Sequence, residues 1–162
     1  MLSLLEKLTP NFTFGELVKS PLAARKGIDN TPGDPEVIAN LRAVCEKILQ
    51  PVRDHFKKPV TVNSGYRGPK LNKACGGSVK SQHMDGQAVD FEIPGMCNAE
   101  LANWVAANLN YDQIILEHCT PGVPGTGWVH CSFRRDGKNR RQALTITADG
   151  RCQTGIQLGI KV

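Results

Sequence analysis

Apolar residues recur at helical spacing in one stretch of the chain and alternate with polar residues in three others. Val37, Ile38, Leu41, Val44, Cys45, Ile48, Leu49 and Val52 share one face of a 3.6-residue period. They predict a long amphipathic helix over 35–56, kinked near Pro51. Asp34 suits its N-cap, Pro35 its first position and Glu36 its first turn. Over 88–93, Val89, Phe91 and Ile93 alternate with Asp90 and Glu92, the period of a strand with one face in a core. Over 128–133, Val129, Cys131 and Phe133 point one way and Trp128, His130 and Ser132 the other. Over 112–117, Ile114 and Leu116 share a face, with Ile115 and Glu117 opposite.

The remaining segments fill in the order. Residues 1–33 read as a polar, turn-rich lead-in whose Phe12, Phe14 and Leu17 tuck onto the core. Val60, Thr61 and Val62 form a short strand. Residues 64–87 are glycine-rich and read as a long ordered loop with one helical turn, the kind of segment that carries function. A helix spans 98–109 with Asn98 as its cap, and a last strand spans 144–147. There are no internal repeats. The pattern predicts an α+β class: a small, mostly antiparallel sheet with flanking helices. We expect one domain over 1–162, with 1–33 packed on it and 134–162 as a C-terminal hairpin or tail.

Composition narrows the function. The 162 residues are 40% hydrophobic and 22% charged, within the range of an ordinary globular protein. No apolar run approaches the roughly 18 residues of a membrane span. The net charge of +5 and pI near 9.0 mildly favour anionic partners. With aromatics at only 6% and no basic stripe, nucleic acid is not an expected partner. Cysteines stand at 45, 75, 97, 119, 131 and 152 with no C-x-x-C, which disfavours a zinc finger or a thioredoxin-type site. The first eight residues are interrupted by charge and lack the apolar core of an export signal. We therefore expect cytoplasmic synthesis, free thiols and a monomer.

Alternation brings chemistry together. It places Asp90, Glu117 and His130 on one sheet face, and the loop before Asp90 adds His83. Three ligands drawn from His and Asp/Glu, leaving a position for water, suit catalytic zinc. A carboxylate not bound to the metal would take the water's proton. Two histidines and a carboxylate also suit Fe(II), but His83 and Asp90 are seven residues apart and zinc fits better. By spacing alone, a His or Asp on a polar sheet face is more often simply solvated. No glycine loop runs into a Lys-Ser/Thr pair, so no nucleotide site is expected.

Ser64-Gly65-Tyr66-Arg67, Asn72, Gly76-Gly77 and Ser81-Gln82-His83-Met84-Asp85-Gly86-Gln87-Ala88-Val89-Asp90, with Trp128-Val129-His130 later, resemble the signature of the M15 zinc peptidases. These are the D-alanyl-D-alanine carboxypeptidases and phage endolysin-like peptidoglycan peptidases. The lead-in from Phe12 resembles the phage-associated branch. The resemblance implies a hedgehog/DD-peptidase-like fold and one Zn²⁺ on His83, Asp90 and His130. It also implies that Arg67 holds a substrate carboxylate, with Ser81 lining the same pocket. A planar guanidinium suits that task. Trp128 is a candidate wall for the substrate.

One departure matters. Many members carry the catalytic acid three residues before the last ligand, where this chain has Gly127. Glu117 is the expected general base in its place, as in the related zinc-bearing hedgehog domain, with Asp85 and Glu92 in reserve. His118 either flanks the metal or is an exposed loop histidine. Arg134, Arg135, Lys138, Arg140 and Arg141 read as a solvated hairpin tip or an attraction to an anionic wall. The expected activity is zinc-dependent hydrolysis of an amide bond in peptidoglycan stem peptides, by a carboxypeptidase or endopeptidase. The expected site of action is the cell wall, reached without a conventional signal, as by a phage lysin. The alternatives are a zinc-containing binding module without catalysis and a virion-associated structural protein.

Overall fold

The computed structural model describes residues 2–120 and 122–157; the end of the expected C-terminal tail, 158–162, lies outside them. The lead-in is more regular than its composition suggests. A short hairpin, β1 (Lys7–Thr9) and β2 (Phe12–Thr13), leads into α1 (Phe14–Val18) and α2 (Pro21–Lys26). Thr13 and Glu16 form a reciprocal capping box: the Glu16 amide donates to Thr13 Oγ1, and the Thr13 amide donates to Glu16 Oε2. Phe12, Phe14 and Leu17 are buried in the core, as their spacing predicts.

The long helix is built in three parts. α3 (Pro35–Val44) starts on Asp34, whose carboxylate accepts the Glu36 amide. A π-helical turn (Cys45–Leu49) follows and then α4 (Gln50–Phe56). Proline cannot donate to the carbonyl four residues back, and its ring crowds that carbonyl. The chain widens just before Pro51, with the Gln50 amide donating to the Cys45 carbonyl. Leu41, Val44, Cys45, Ile48, Leu49 and Val52 are fully buried, so the wide turn keeps the apolar stripe on the core.

Next come β3 (Thr61–Ser64), α5 (Pro69–Ala74), β4 (Ala88–Glu92), α6 (Asn98–Asn108), β5 (Gln113–Glu117), β6 (Trp128–Ser132), β7 (Gln142–Ile146) and β8 (Cys152–Thr154). The large sheet has six strands in the order β3-β4-β6-β5-β7-β8. Every pairing in it is antiparallel except β5 with β7. The class is therefore α+β, with a larger sheet than expected. Hydrophobic pattern could not reveal β8, whose three residues are all exposed. The cap of α6 also differs: Cys97 is the N-cap, and Asn98 instead donates its side-chain amide to the carbonyls of Thr126 and Gly127.

One sheet face carries Val89, Phe91, Ile114, Leu116, Val129 and Cys131 into a single core with the long helix and α6. The other face is left for polar residues. The basic segment after β6 is largely exposed, as a solvated tip would be, but several of its side chains are tied to the fold. Arg135 pairs with Glu36, and Arg141 donates to the carbonyls of Leu109 and Ala106 beside the Tyr111 ring. Arg140 makes a two-pronged contact with Asp112 at 2.9 and 2.6 Å. Asp112 is fully buried and also accepts from Gln82 and the Arg140 amide.

Burial alone would raise the Asp112 carboxyl, but Arg140 and Gln82 outweigh it and hold it below its ordinary range. A carboxylate depressed on folding adds stability above its unfolded pKa and loses it as pH falls through the folded value. We expect Asp112→Asn to cost about 2 kcal/mol at pH 7. The loss should shrink progressively below pH ~4, read as denaturant midpoints across pH. A pH-independent loss would mean that the charge of Asp112 contributes nothing.

Candidate metal centre

Strand register assembles the centre. Asp90 on β4 sits directly opposite His130 on β6. His130 in turn faces Ile115 on β5, and Glu117 pairs with Trp128. Glu117 is thus the diagonal neighbour of His130, a separation of about 7–8 Å between backbone positions. His83 comes from the loop between α5 and β4. Gly86 lets that loop lie on α3: it has φ +68°, and a side chain there would run into the Val37 carbonyl.

Three ligand atoms converge. His130 Nδ1 lies 2.8 Å from Asp90 Oδ1 and 3.2 Å from His83 Nε2, and His83 Nε2 lies 3.3 Å from Asp90 Oδ1. All three residues are buried. The His83 Nδ1–H donates to the Gly65 carbonyl at 2.7 Å. That oxygen can only accept, so it fixes the tautomer and turns the Nε2 lone pair toward the other two residues. Burial pushes the His83 pKa down against the pull of Asp90, which favours the neutral ring. Burial would raise the Asp90 carboxyl, but the two imidazoles hold it below its ordinary range. Two imidazoles and a carboxylate, within 4.8 Å of one another, fit a divalent cation. The set supplies the donor chemistry such an ion takes.

The centre opens into a cleft of about 680 Å³. Arg67, Ser81, Glu117 and Trp128 all line it beside the three candidate ligands. The Arg67 Nε–H and the Trp128 indole N–H are buried without a partner. Burial raises the Glu117 pKa, and the negative charge of Asp90 adds to that, against the pull of His130. Asp85 reaches the cleft wall, whereas Glu92 is not on it. His118 is exposed at φ +52°, its ring tilted over Trp128 at 5.3 Å. Gly127 packs on the backbone of Glu117, His118 and Cys119 with φ +63°, and a Cβ would collide with it. No side chain fits there in this conformation.

Sequence reasoning missed the Gly65 carbonyl, because any residue supplies one. It also missed the far wall of the cleft, with Lys80, Gln82, Asp112, Arg134 and Arg140. Lys80 lies in the segment read as a long loop, Arg134 and Arg140 flank one read as a hairpin tip, and Asp112 begins a strand whose alternation drew attention to Glu117 instead.

A family profile described as peptidase M15 matches residues 10–132, about three quarters of the chain. The chain belongs to the peptidase M15 family. The match spans every residue of the convergent centre and supports a hydrolytic peptidase of the metal-dependent kind. Comparison with curated proteins returned no match. As in any M15 peptidase, the substrate class is a peptide. Among the described residues, no helix is long and apolar enough to cross a membrane.

Metal analysis of the purified protein should give about one divalent ion per chain. His83→Ala should lower that stoichiometry severalfold while the far-UV circular dichroism stays unchanged. Unchanged metal content in the variant would remove His83 from the centre.

Proposed function

We propose that the chain is a zinc-dependent peptidase that hydrolyses an amide bond in peptidoglycan stem peptides. In this reading it works as one domain of the hedgehog/DD-peptidase type, as a carboxypeptidase or endopeptidase of the phage endolysin kind, acting at the cell wall. The observation that carries the reading is the juxtaposition of three converging metal-ligand atoms with an unpartnered Arg67 and a half-buried Glu117 in one cleft. His83, Asp90 and His130 would hold Zn²⁺. Zinc in such a site supplies a Lewis acid that lowers the pKa of water and polarises a carbonyl.

The chain's own residues do the rest. Arg67 offers a planar, permanently charged fork to a substrate carboxylate and so sets the amide over the centre. Ser81 lines the same cleft, and Trp128 forms a wall of it whose indole N–H has no partner. Glu117 takes the proton of the attacking water and passes it to the leaving amine. A carboxylate whose pKa is raised by burial is better matched to that exchange than an exposed one. Gly127 supports the assignment, since the position usual for the acid has no room for a side chain.

The test is digestion of bacterial sacculi, with and without a zinc chelator, and identification of released fragments by mass spectrometry. Chelator-sensitive fragments are expected, and their new termini name the bond. Folded, zinc-loaded protein that binds sacculi but releases nothing would replace this reading with a binding module. Glu117→Gln should retain the metal and lose about 10²–10⁴-fold in kcat. Wild-type turnover would exclude Glu117 as the base. Arg67→Ala should raise KM for a carboxylate-bearing peptide about 10–100-fold, with a smaller effect on its amidated analogue. Equal effects on both peptides would mean that Arg67 does not read the carboxylate.

A further inference from the structure

The proposed chemistry uses none of the six cysteines, and they are not equivalent. Cys45 and Cys131 are fully buried in the core. Burial pushes the Cys45 thiol up to about 12 and raises Cys131 as well, which makes both inert. Cys75 and Cys152 are exposed, on α5's C-cap and on β8. Cys97 and Cys119 are different, because the fold brings them to one another.

Cys119 follows the end of β5, two residues after Glu117, and is buried. Cys97 is the N-cap of α6, half-buried, and packs against the core cluster that contains Cys119. Burial raises the Cys119 thiol pKa, against the Thr126 hydroxyl; the nearby Cys97 thiol adds to the rise and the Ala99 N–H opposes it, which makes Cys97 and Ala99, in the first turn of α6, its neighbours. The two segments are also joined independently. Asn98 donates to the carbonyls of Thr126 and Gly127 at 3.0 and 3.1 Å, and Thr126 Oγ1 lies 3.8 Å from Cys119 Sγ. Cys97 borders a surface cavity of about 460 Å³ with Phe56, Met96 and Pro124. A small reagent can therefore reach Cys97, while Cys119 waits behind it.

We propose that Cys97 and Cys119 form a disulfide when the protein meets a small-molecule disulfide oxidant, stapling the α6 N-terminus to the strand end that carries Glu117. The Cys97 thiolate attacks one sulfur of the oxidant, whose S–S bond breaks and releases one thiolate. Cys119, after losing its proton, attacks the Cys97 sulfur of this mixed disulfide and expels the second thiolate. One protein disulfide forms, the pair gives up two electrons, and the oxidant leaves as two thiols. The staple closes a loop of about twenty residues, which restricts the unfolded chain.

The test treats the full chain with a buffer of oxidised and reduced glutathione, then alkylates it under denaturing conditions. Cleavage after Glu92, Glu100, Glu117 and Trp128 puts Cys97, Cys119 and Cys131 on separate peptides. The expected result is a cross-linked peptide joining Cys97 to Cys119, with a melting temperature about 5–10 °C above the reduced form. That shift should vanish in Cys97→Ser, where Cys119 stays alkylatable. Cys119→Ser serves as a second check, but its buried position makes Cys97→Ser the deciding variant. Cys97 and Cys119 both alkylated after oxidation, or either one linked to a different cysteine, would overturn the proposal. Neither readout depends on peptidase activity, so the outcome stands apart from that of the proposed function.

Discussion

Three electron-pair donors, two imidazole nitrogens and a carboxylate oxygen, are held within 3.3 Å of one another in a buried site. Moving a lone carboxylate out of water costs several kcal/mol, and crowding it with neutral rings recovers little unless positive charge sits among them. The fold enforces the convergence all the same. The β4–β6 register fixes Asp90 against His130, and a backbone carbonyl fixes the His83 ring. The apolar sides of the same strands are locked into the core, so the backbones of Asp90 and His130 cannot shift without unpacking Val89, Phe91, Val129 or Cys131. Core packing and the metal centre are two faces of one constraint.

The same logic governs the carboxylate beside the centre. Gly127 lies so close to the 117–119 backbone that a side chain there is excluded. A second carboxylate, which the proposed reading calls for, therefore comes from another strand in that reading, and the acidic residue of β5 is Glu117. Its diagonal relation to His130 places it beside the ligand set but outside it. In the proposed reading, a carboxylate outside the ligand set keeps both oxygens free of the cation and available to a proton.

The Asp112–Arg140 pair marks the limit of what was legible in the sequence. Alternation works where one strand face is apolar, so β4, β5 and β6, and with them His83's partners, could be read directly. The helical stripe over 35–56 was equally plain, because Leu41 through Val52 never leave the core face. The π-helical turn was not legible, since it preserves that stripe while changing the backbone count. Nor was the parallel join of β5 to β7, which the hydrophobic period does not encode. The basic run after β6 is exposed as its composition suggests, but its ties were not legible, because its partners Glu36, Asp112 and the Leu109 carbonyl lie far away in sequence. Local charge density cannot distinguish a solvated tip from a set of pinned guanidiniums.

The distribution of unpaired buried polar atoms bears on the cleft's purpose. Among the described residues, the buried side-chain nitrogens without a partner are Arg67 Nε and Trp128 Nε1, and both residues line the cleft. A buried donor left unsatisfied costs about 1–3 kcal/mol, and native folds rarely retain such groups without cause. Three buried oxygens away from the cleft, Thr9 Oγ1, Asn72 Oδ1 and Asn98 Oδ1, also lack partners, but other buried amides are well satisfied. Asn30, for example, donates to the carbonyls of Val18 and Tyr66 and accepts the Gly68 amide. Two N–H groups lacking acceptors beside a converging ligand set mark the part of the fold where the chain leaves its own donors unsatisfied. In the proposed reading, carbonyl and carboxylate oxygens of a peptide would meet them once the wall adjusts, and local stability given up at a functional site is the expected cost of shaping it.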